Sequence, residues 1–276
     1  MDEPHLPIVR FWDNMASPLE KPIAPMIARA VLAALAFIIL GSVPASAGAF
    51  DNWAALVVAG DSRAHDGAQS AVFDNARRDL VKTLKQMGFA EGNIQHYSAR
   101  PDLDPETKPL RADGAAIYKG FLKLTETASA GCFVYITSHG APLGIMIGDS
   151  NVAIRSIGDI IDNSCHDRPT VAIISACYSG MFIPVLRAPN RMILTAARPD
   201  RTSFGCSEDL KYTFFDQCVL ESLPMVQNFV ALADKAKECV AAREKAENTT
   251  PPSEPQVYVG TAIAPALQLT YSFMLN

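Results

Sequence analysis

The sequence predicts an α/β fold, a three-layer α/β/α sandwich around a mainly parallel sheet. Short apolar runs rich in Val and Ile alternate along the chain with stretches whose apolar residues recur at helical spacing. Each run is apolar nearly throughout, not at every second residue, which is the pattern of strands covered on both faces. No linker long enough to cut 48–276 into two domains interrupts the series.

The first strand is WAALVVAG (53–60), closed by Gly60. Residues 69–87 then set Val72, Phe73, Ala76, Leu80, Leu84 and Met87 on one face of a helix that Gly88 ends. NIQHY (93–97) is a short second strand, and the proline-rich, acidic segment 98–109 is a surface loop. A helix is expected over 111–128, with Ile117, Phe121, Leu122 and Leu124 on its apolar side. The strand 132–137 follows, then a glycine-punctuated hairpin over 143–154 and a short helix. Ser156, with Asp159 three residues on, is expected to cap that helix. TVAIIS (170–175) and RMILTAA (191–197) are the next strands. Residues 209–246 read as largely helical, 247–255 as a turn or flexible loop, and 257–263 as a late strand.

The N-terminal residues differ in kind. Arg29, an apolar run from Ala30 to Leu40, then Pro44 and Ala45-Ser46-Ala47 have the layout of a secretory signal cleaved after Ala47, with 1–25 an overlong leader. The apolar run is short of the roughly 20 residues of a spanning helix, so no stable membrane span is expected after cleavage; an uncleaved anchor is the alternative. The expectation is a periplasmic or secreted mature domain, 48–276. A net charge of -5, with no long run of Lys or Arg, argues against a nucleic-acid partner.

Export makes disulfides possible among the six cysteines. Cys132 opens one strand and Cys165 precedes another. If those strands are parallel neighbours the two thiols share a sheet end, which makes Cys132–Cys165 the leading bridge. Among Cys206, Cys218 and Cys239 the sequence makes no choice. No CxxC and no His/Cys spacing of a zinc site occurs, so neither metal nor cofactor is expected.

Two strands end in reactive side chains. CFVYITSHGAP (132–142) delivers His139 just beyond its strand, and VAIISACYSG (171–180) delivers Cys177. Ligands of open parallel sheets bind at the carboxyl ends of strands. A lone cysteine there is ordinarily a small hydrophobe, and a lone histidine a hydrogen-bonded structural residue. Two such residues at the same position on successive strands, both in Ser/Gly surroundings, read instead as a nucleophile and its base. Gly140 and Gly180 flank them, allowing close backbone approach. The N–H groups of Gly140 and Cys177 are the expected oxyanion hole.

VYITSHG and IISACYSG resemble the two signature segments of the legumain-like cysteine peptidases of the caspase-type clan. ILTAARPDRTSFGCSED (193–209) is similar to that family's substrate-holding edge, and VVAGDSRAHDGA (57–68) to its first strand and loop. The resemblance covers roughly 53–215 and implies a caspase-like fold and a cysteine endopeptidase. In it His139 is the proton shuttle, Cys177 the nucleophile and Gly140 an oxyanion donor. It nominates Arg63, His65, Ser203 and Asp209 for substrate binding, with a peptide lying extended against 195–204. Legumains have acidic residues just before the histidine and just after the cysteine, where this chain has Ser138 and Tyr178; asparagine selectivity is therefore not implied. No Asp or Asn stands out as a third member, and a backbone carbonyl of the 63–66 loop is expected to hold the His139 ring. Two other readings stay open: a transamidase using the same dyad, and a non-enzymatic secreted binding domain. Oligomeric state is not legible.

Overall fold

The computed structural model describes residues 48–271; the leader and signal read in 1–47 lie outside the described residues. β1 (Trp53–Ala59) is followed by α1 (Val72–Gln86), β2 (Ile94–Ser98), the two-residue edge strand β3 (Leu110–Arg111) and α2 (Gly114–Thr127). β4 (Gly131–Thr137) leads into a small antiparallel sheet of β5 (Gly140–Ala141), β6 (Gly144–Ile147) and β7 (Ser150–Ala153). Next come α3 (Ile154–Cys165), β8 (Thr170–Ser175), the single turn α4 (Ile183–Leu186) and β9 (Arg191–Thr195). α5 (Phe214–Ser222), α6 (Phe229–Ala246), β10 (Gln256–Val259) and α7 (Ala264–Leu267) complete the described elements. None of the described helices is long and apolar enough to cross a membrane.

The large sheet has strand order β10-β9-β8-β4-β1-β2-β3. All neighbours are parallel except the edge pair β10–β9. The predicted late strand is thus present over its first half only, as an antiparallel edge. β1, β4 and β8 are buried at every position. Side-chain alternation splits them between two cores. Phe133, Tyr135, Val171 and Ile173 join the core under α1, α5 and α6. Val134, Ile136, Ala172 and Ile174 join the opposite core under α2 and α3. Burying each of these larger side chains contributes about 1.5–3 kcal/mol, and their double coverage is why the strands read as continuous apolar runs.

The helix ends correct two sequence expectations. α2 starts later than predicted because Asp113 caps it, its Oδ1 accepting the Ala116 N–H at 2.8 Å. Ser156 caps nothing: α3 begins behind Ala153, with no side-chain cap, and Ser156 lies inside its first turn. Pairing of Ala153 with Gly144 holds the backbone extended up to the helix, which leaves no free residue to serve as cap. Two disulfides close the cores, Cys132–Cys165 and Cys218–Cys239, leaving Cys177 and Cys206 as free thiols. The first ties β4 to the end of α3; the second ties α5 to α6.

The 98–109 loop is held by an arginine. Arg77 of α1 is fully buried and donates to Asp74 at 2.9 Å, to Asp104 at 2.5 Å and to Nδ1 of His96 at 2.7 Å. A guanidinium only donates, so Nδ1 of His96 is the acceptor and the neutral ring is the one that fits. Burial, reinforced by the Arg77 charge, pushes the His96 pKa down to about 4. Well above pH 6.5 the His96 ring is neutral in both the folded and the unfolded chain. As the pH falls from about 6.5 to about 4, the unfolded chain binds a proton that the folded chain resists, so stability is lost across that window. His96→Asn keeps an acceptor but does not titrate. We expect it to flatten the fall in melting temperature between pH 6.5 and 4, as read by thermal denaturation of both proteins.

Candidate active site

β4 and β8 are adjacent and in register, with Thr137 beside Ser175 at their ends. The register persists beyond the strands, since the Ser138 N–H donates to the Ser175 carbonyl at 3.0 Å. His139 and Cys177 therefore leave the sheet at the same level, two residues past partnered positions. Tyr135 and Ile173 belong to the α1/α5/α6 core, and alternation assigns His139 and Cys177 to that same side.

The imidazole is fixed on two sides. Nε2 of His139 lies 2.9 Å from the Arg63 carbonyl. A carbonyl only accepts, so Nε2 bears the hydrogen and Nδ1 is the basic nitrogen. The edge of the His139–Phe73 pair closes at 5.1 Å between ring centroids and 81° between planes. The 61–69 loop that presents the carbonyl is braced by Asp61. This buried carboxylate accepts from the N–H groups of Ser62 and Arg63 and from the Arg63 guanidinium. The sequence expectation of a backbone carbonyl from 63–66 thus corresponds to Arg63.

The partly buried thiol of Cys177 meets Ser203. The Ser203 N–H donates to Sγ at 3.3 Å, while the Ser203 carbonyl and Oγ lie at 3.6 and 3.7 Å. Among the described residues no hydrogen bond joins Sγ to the imidazole. Tyr178 follows in the left-handed region, φ 57°, and donates its N–H to the Arg201 carbonyl at 2.8 Å. That sharp turn lifts Cys177 out of the sheet. A left-handed conformation at a bulky residue holds only where neighbours enforce it, and such residues cluster at functional sites.

The two glycines serve the protein's own backbone. A Cβ at Gly140 would lie 2.2 Å from the Cys177 carbonyl oxygen, and one at Gly180 2.6 Å from Pro199. Gly140 lets the segments that carry His139 and Cys177 touch; Gly180 packs against Pro199 of the 198–201 turn. The Met146 N–H donates to the His139 carbonyl at 2.9 Å, which makes Gly140–Ile145 a narrow pair with N–H groups turned outward from the ladder. The Cys177 N–H has no acceptor among the described residues.

The nominated substrate residues are spread out. Ser203 is on the thiol. Arg63 turns its guanidinium onto Asp61 and lines a polar cavity of about 530 Å³ with Arg100, Arg111 and Asp149. His65 is exposed and Asp209 is exposed; neither lines that cavity. Residues 198–201 form a turn closed by the Arg201 N–H on the Arg198 carbonyl, so only the irregular segment 202–206 is left to pass the thiol, through Ser203. Ser138, where legumains have an acid, is buried and donates to the Met146 carbonyl at 2.7 Å.

Three residues near the dyad carried no sequence signal that was read. Phe73 counted only as one of a helix's apolar positions. Cys206 is a half-buried thiol whose pKa is pushed up, chiefly by burial and then by the charge of Cys177, beside the His65 backbone N–H. Asp216 is fully buried under the catalytic strands; Thr213 three residues before it is the capping-box spacing that would have marked a helix start there. No group of His, Cys, Asp and Glu among the described residues is arranged to hold a metal.

Residues 75–228 match the Peptidase C13 family, a range that includes His139, Cys177, Ser203 and Asp209 and begins after Arg63 and His65. No curated protein matches the sequence. Among solved structures, caspase-1 from Spodoptera frugiperda matches with a TM-score of 0.54 at 16% identity, over 80% of this chain and 89% of that one. At that identity the likeness is one of fold, and the fold is caspase-like. With more than half of its length matched, the chain belongs to the peptidase C13 family, the legumain family, and is a cysteine peptidase.

Proposed function

We propose that the protein is an endopeptidase in which Cys177 and His139 form the catalytic dyad. The observation that supports this most directly is the level pairing of β4 and β8, which presents both side chains at one end of the sheet on one face. A bound peptide carbonyl lies between them. The Cys177 thiol gives its proton to Nδ1 of His139, and the sulfur attacks the carbonyl carbon. The N–H groups of Gly140 and Cys177 receive the negative oxygen. The imidazolium returns its proton to the leaving amine as the C–N bond breaks, leaving a thioester. Water, deprotonated by His139, then releases the acid and restores the thiol.

Here the Arg63 carbonyl does the work of a third residue. It holds Nε2–H and keeps Nδ1 toward the substrate, without adding a charge. The substrate lies along 202–206 by strand addition. Thr202 N–H and C=O and the Phe204 N–H make no hydrogen bond among the described residues, which leaves them for a peptide. The reading includes a mature domain of 48–276 exported to the periplasm or medium, supported by the signal-like 29–47 segment and by two disulfides, which persist in oxidising compartments.

Cys177→Ala is expected to abolish cleavage of a peptide library by the purified mature chain, and His139→Ala to lower kcat/KM by about 10²–10⁴-fold. Full activity in either variant would overturn the dyad. Adding a primary amine to the same assay separates hydrolysis from transfer, since only transfer yields an amide-extended product by mass. A third variant, Gly140→Ala, forces its new Cβ against the Cys177 carbonyl. It should cut kcat/KM by about 10²-fold in a protein that still melts cooperatively.

A further inference from the structure

Beneath the dyad lies an ionisable group that the mechanism above does not use. Asp216, in the first turn of α5, has no exposed surface. Its Oδ1 accepts from the Tyr135 hydroxyl and its Oδ2 from the Thr137 hydroxyl at 2.6 Å. Its own N–H donates to the Thr213 side chain at 3.1 Å, which is the cap of α5. Burial pushes its pKa up, while the hydroxyls of Ser175, Thr137, Tyr135 and Thr213 pull the other way.

The donors are not scattered. Tyr135 and Thr137 sit four and two residues before His139, on the alternation that His139 continues. Ser175 is the register partner of Thr137 and sits two residues before Cys177. One carboxylate thus takes the last two hydroxyls on this face of β4, the strand that delivers His139, and fastens them to a rigid helix, while the register sets Ser175 of β8 beside Thr137. Energetically this is a poor way to gain stability: a buried carboxylate loses several kcal/mol of hydration, and well-packed apolar residues generally do as well or better. What it does supply is direction. Both oxygens are engaged, so the end of β4 is held in angle as well as in distance, and the helix N-terminus favours the negative charge.

We propose that Asp216 is a positioning residue: it anchors the end of β4, which carries His139 and is paired with the end of β8 that carries Cys177, and so sets the alignment of imidazole and thiol. The proposal rests on the dyad reading. It separates catalysis from substrate binding, because 202–206 and the 61–69 loop make no hydrogen bond to the Asp216 side chain among the described residues.

The test measures kcat and KM separately on one cleaved peptide, with the full mature chain, well below the melting temperature of each variant. Asp216→Asn is expected to lower kcat by about 10²-fold, to leave KM within about twofold, and to slow alkylation of Cys177 by iodoacetamide. Because that variant risks misfolding, Thr137→Val and Tyr135→Phe remove one observed donor each from the carboxylate. Each should reduce kcat about fivefold, the equivalent of one hydrogen bond, at unchanged KM. Combined, the two should fall short of multiplying, as expected when both act through one carboxylate. Wild-type kcat in Thr137→Val and Tyr135→Phe, alongside a lowered melting temperature, would make Asp216 structural only and overturn the proposal while Cys177→Ala still abolishes cleavage. Cleavage that survives Cys177→Ala overturns the dyad and this proposal together.

Discussion

The site depends on the register between β4 and β8. Six pairs, from Cys132–Thr170 to Thr137–Ser175, fix which residue of one strand stands beside which residue of the other. A slip of one residue would send one of the two reactive side chains to the opposite face of the sheet. What forbids the slip is burial on both sides. Val134, Ile136, Ala172 and Ile174 fill one core while Phe133, Tyr135, Val171 and Ile173 fill the other, and each set would have to exchange places. The placement of His139 relative to Cys177 is therefore set by packing that lies well below it. Neighbouring strands are about 4.8 Å apart, so once the register is fixed, no long loop has to bring His139 and Cys177 together.

The strands on either side complete the arrangement by the same logic. β1 lies beside β4, and its following loop sends the Arg63 carbonyl to His139. β9 lies beside β8, and its following segment sends Ser203 to Cys177. Four consecutive parallel strands thus each contribute one piece from their carboxyl ends. A carbonyl in place of a carboxylate behind the histidine has a physical consequence. It fixes the tautomer and the ring plane, but it offers the imidazolium a dipole where a charge would be stronger. Phe73, edge-to-face with the imidazole, adds a second restraint on the ring but no formal charge.

The parts of this design that follow from local chemistry were legible in the sequence. Continuous apolar runs gave the strands, and His139 and Cys177 were visible because each follows such a run. The Cys132–Cys165 pairing followed once those strands were taken as parallel neighbours. What escaped depends on tertiary contact. β3 is two residues long and is a strand only because Tyr97 and Ser98 pair with it. Ser156 had the right spacing for a cap, but strand pairing at Ala153 decided the helix start. Asp216 looked like an ordinary acidic residue in a helical region. Its partners Tyr135 and Thr137 are about eighty positions away, and nothing local announces a burial that only the packing of α5 on the sheet creates.

The departures from the legumain pattern can be understood from the same contacts. Ser138 is turned inward, its hydroxyl on the Met146 carbonyl, where it ties the β5–β7 sheet to the end of β4. An acidic side chain there would meet a carbonyl oxygen with no proton to share, and would have to turn away or remain protonated. Tyr178 holds a left-handed turn through its N–H, so its backbone shapes the exit from the nucleophile while its side chain is only partly buried. Neither position can therefore act on a substrate as a carboxylate would. On the proposed reading, recognition falls to what does flank the thiol: Ser203 and its 202–206 segment, with Cys206 beside the His65 backbone. These are backbone and neutral side chains. A cleft of that kind would select by shape and by main-chain pairing more than by charge, since Arg63 is held on Asp61.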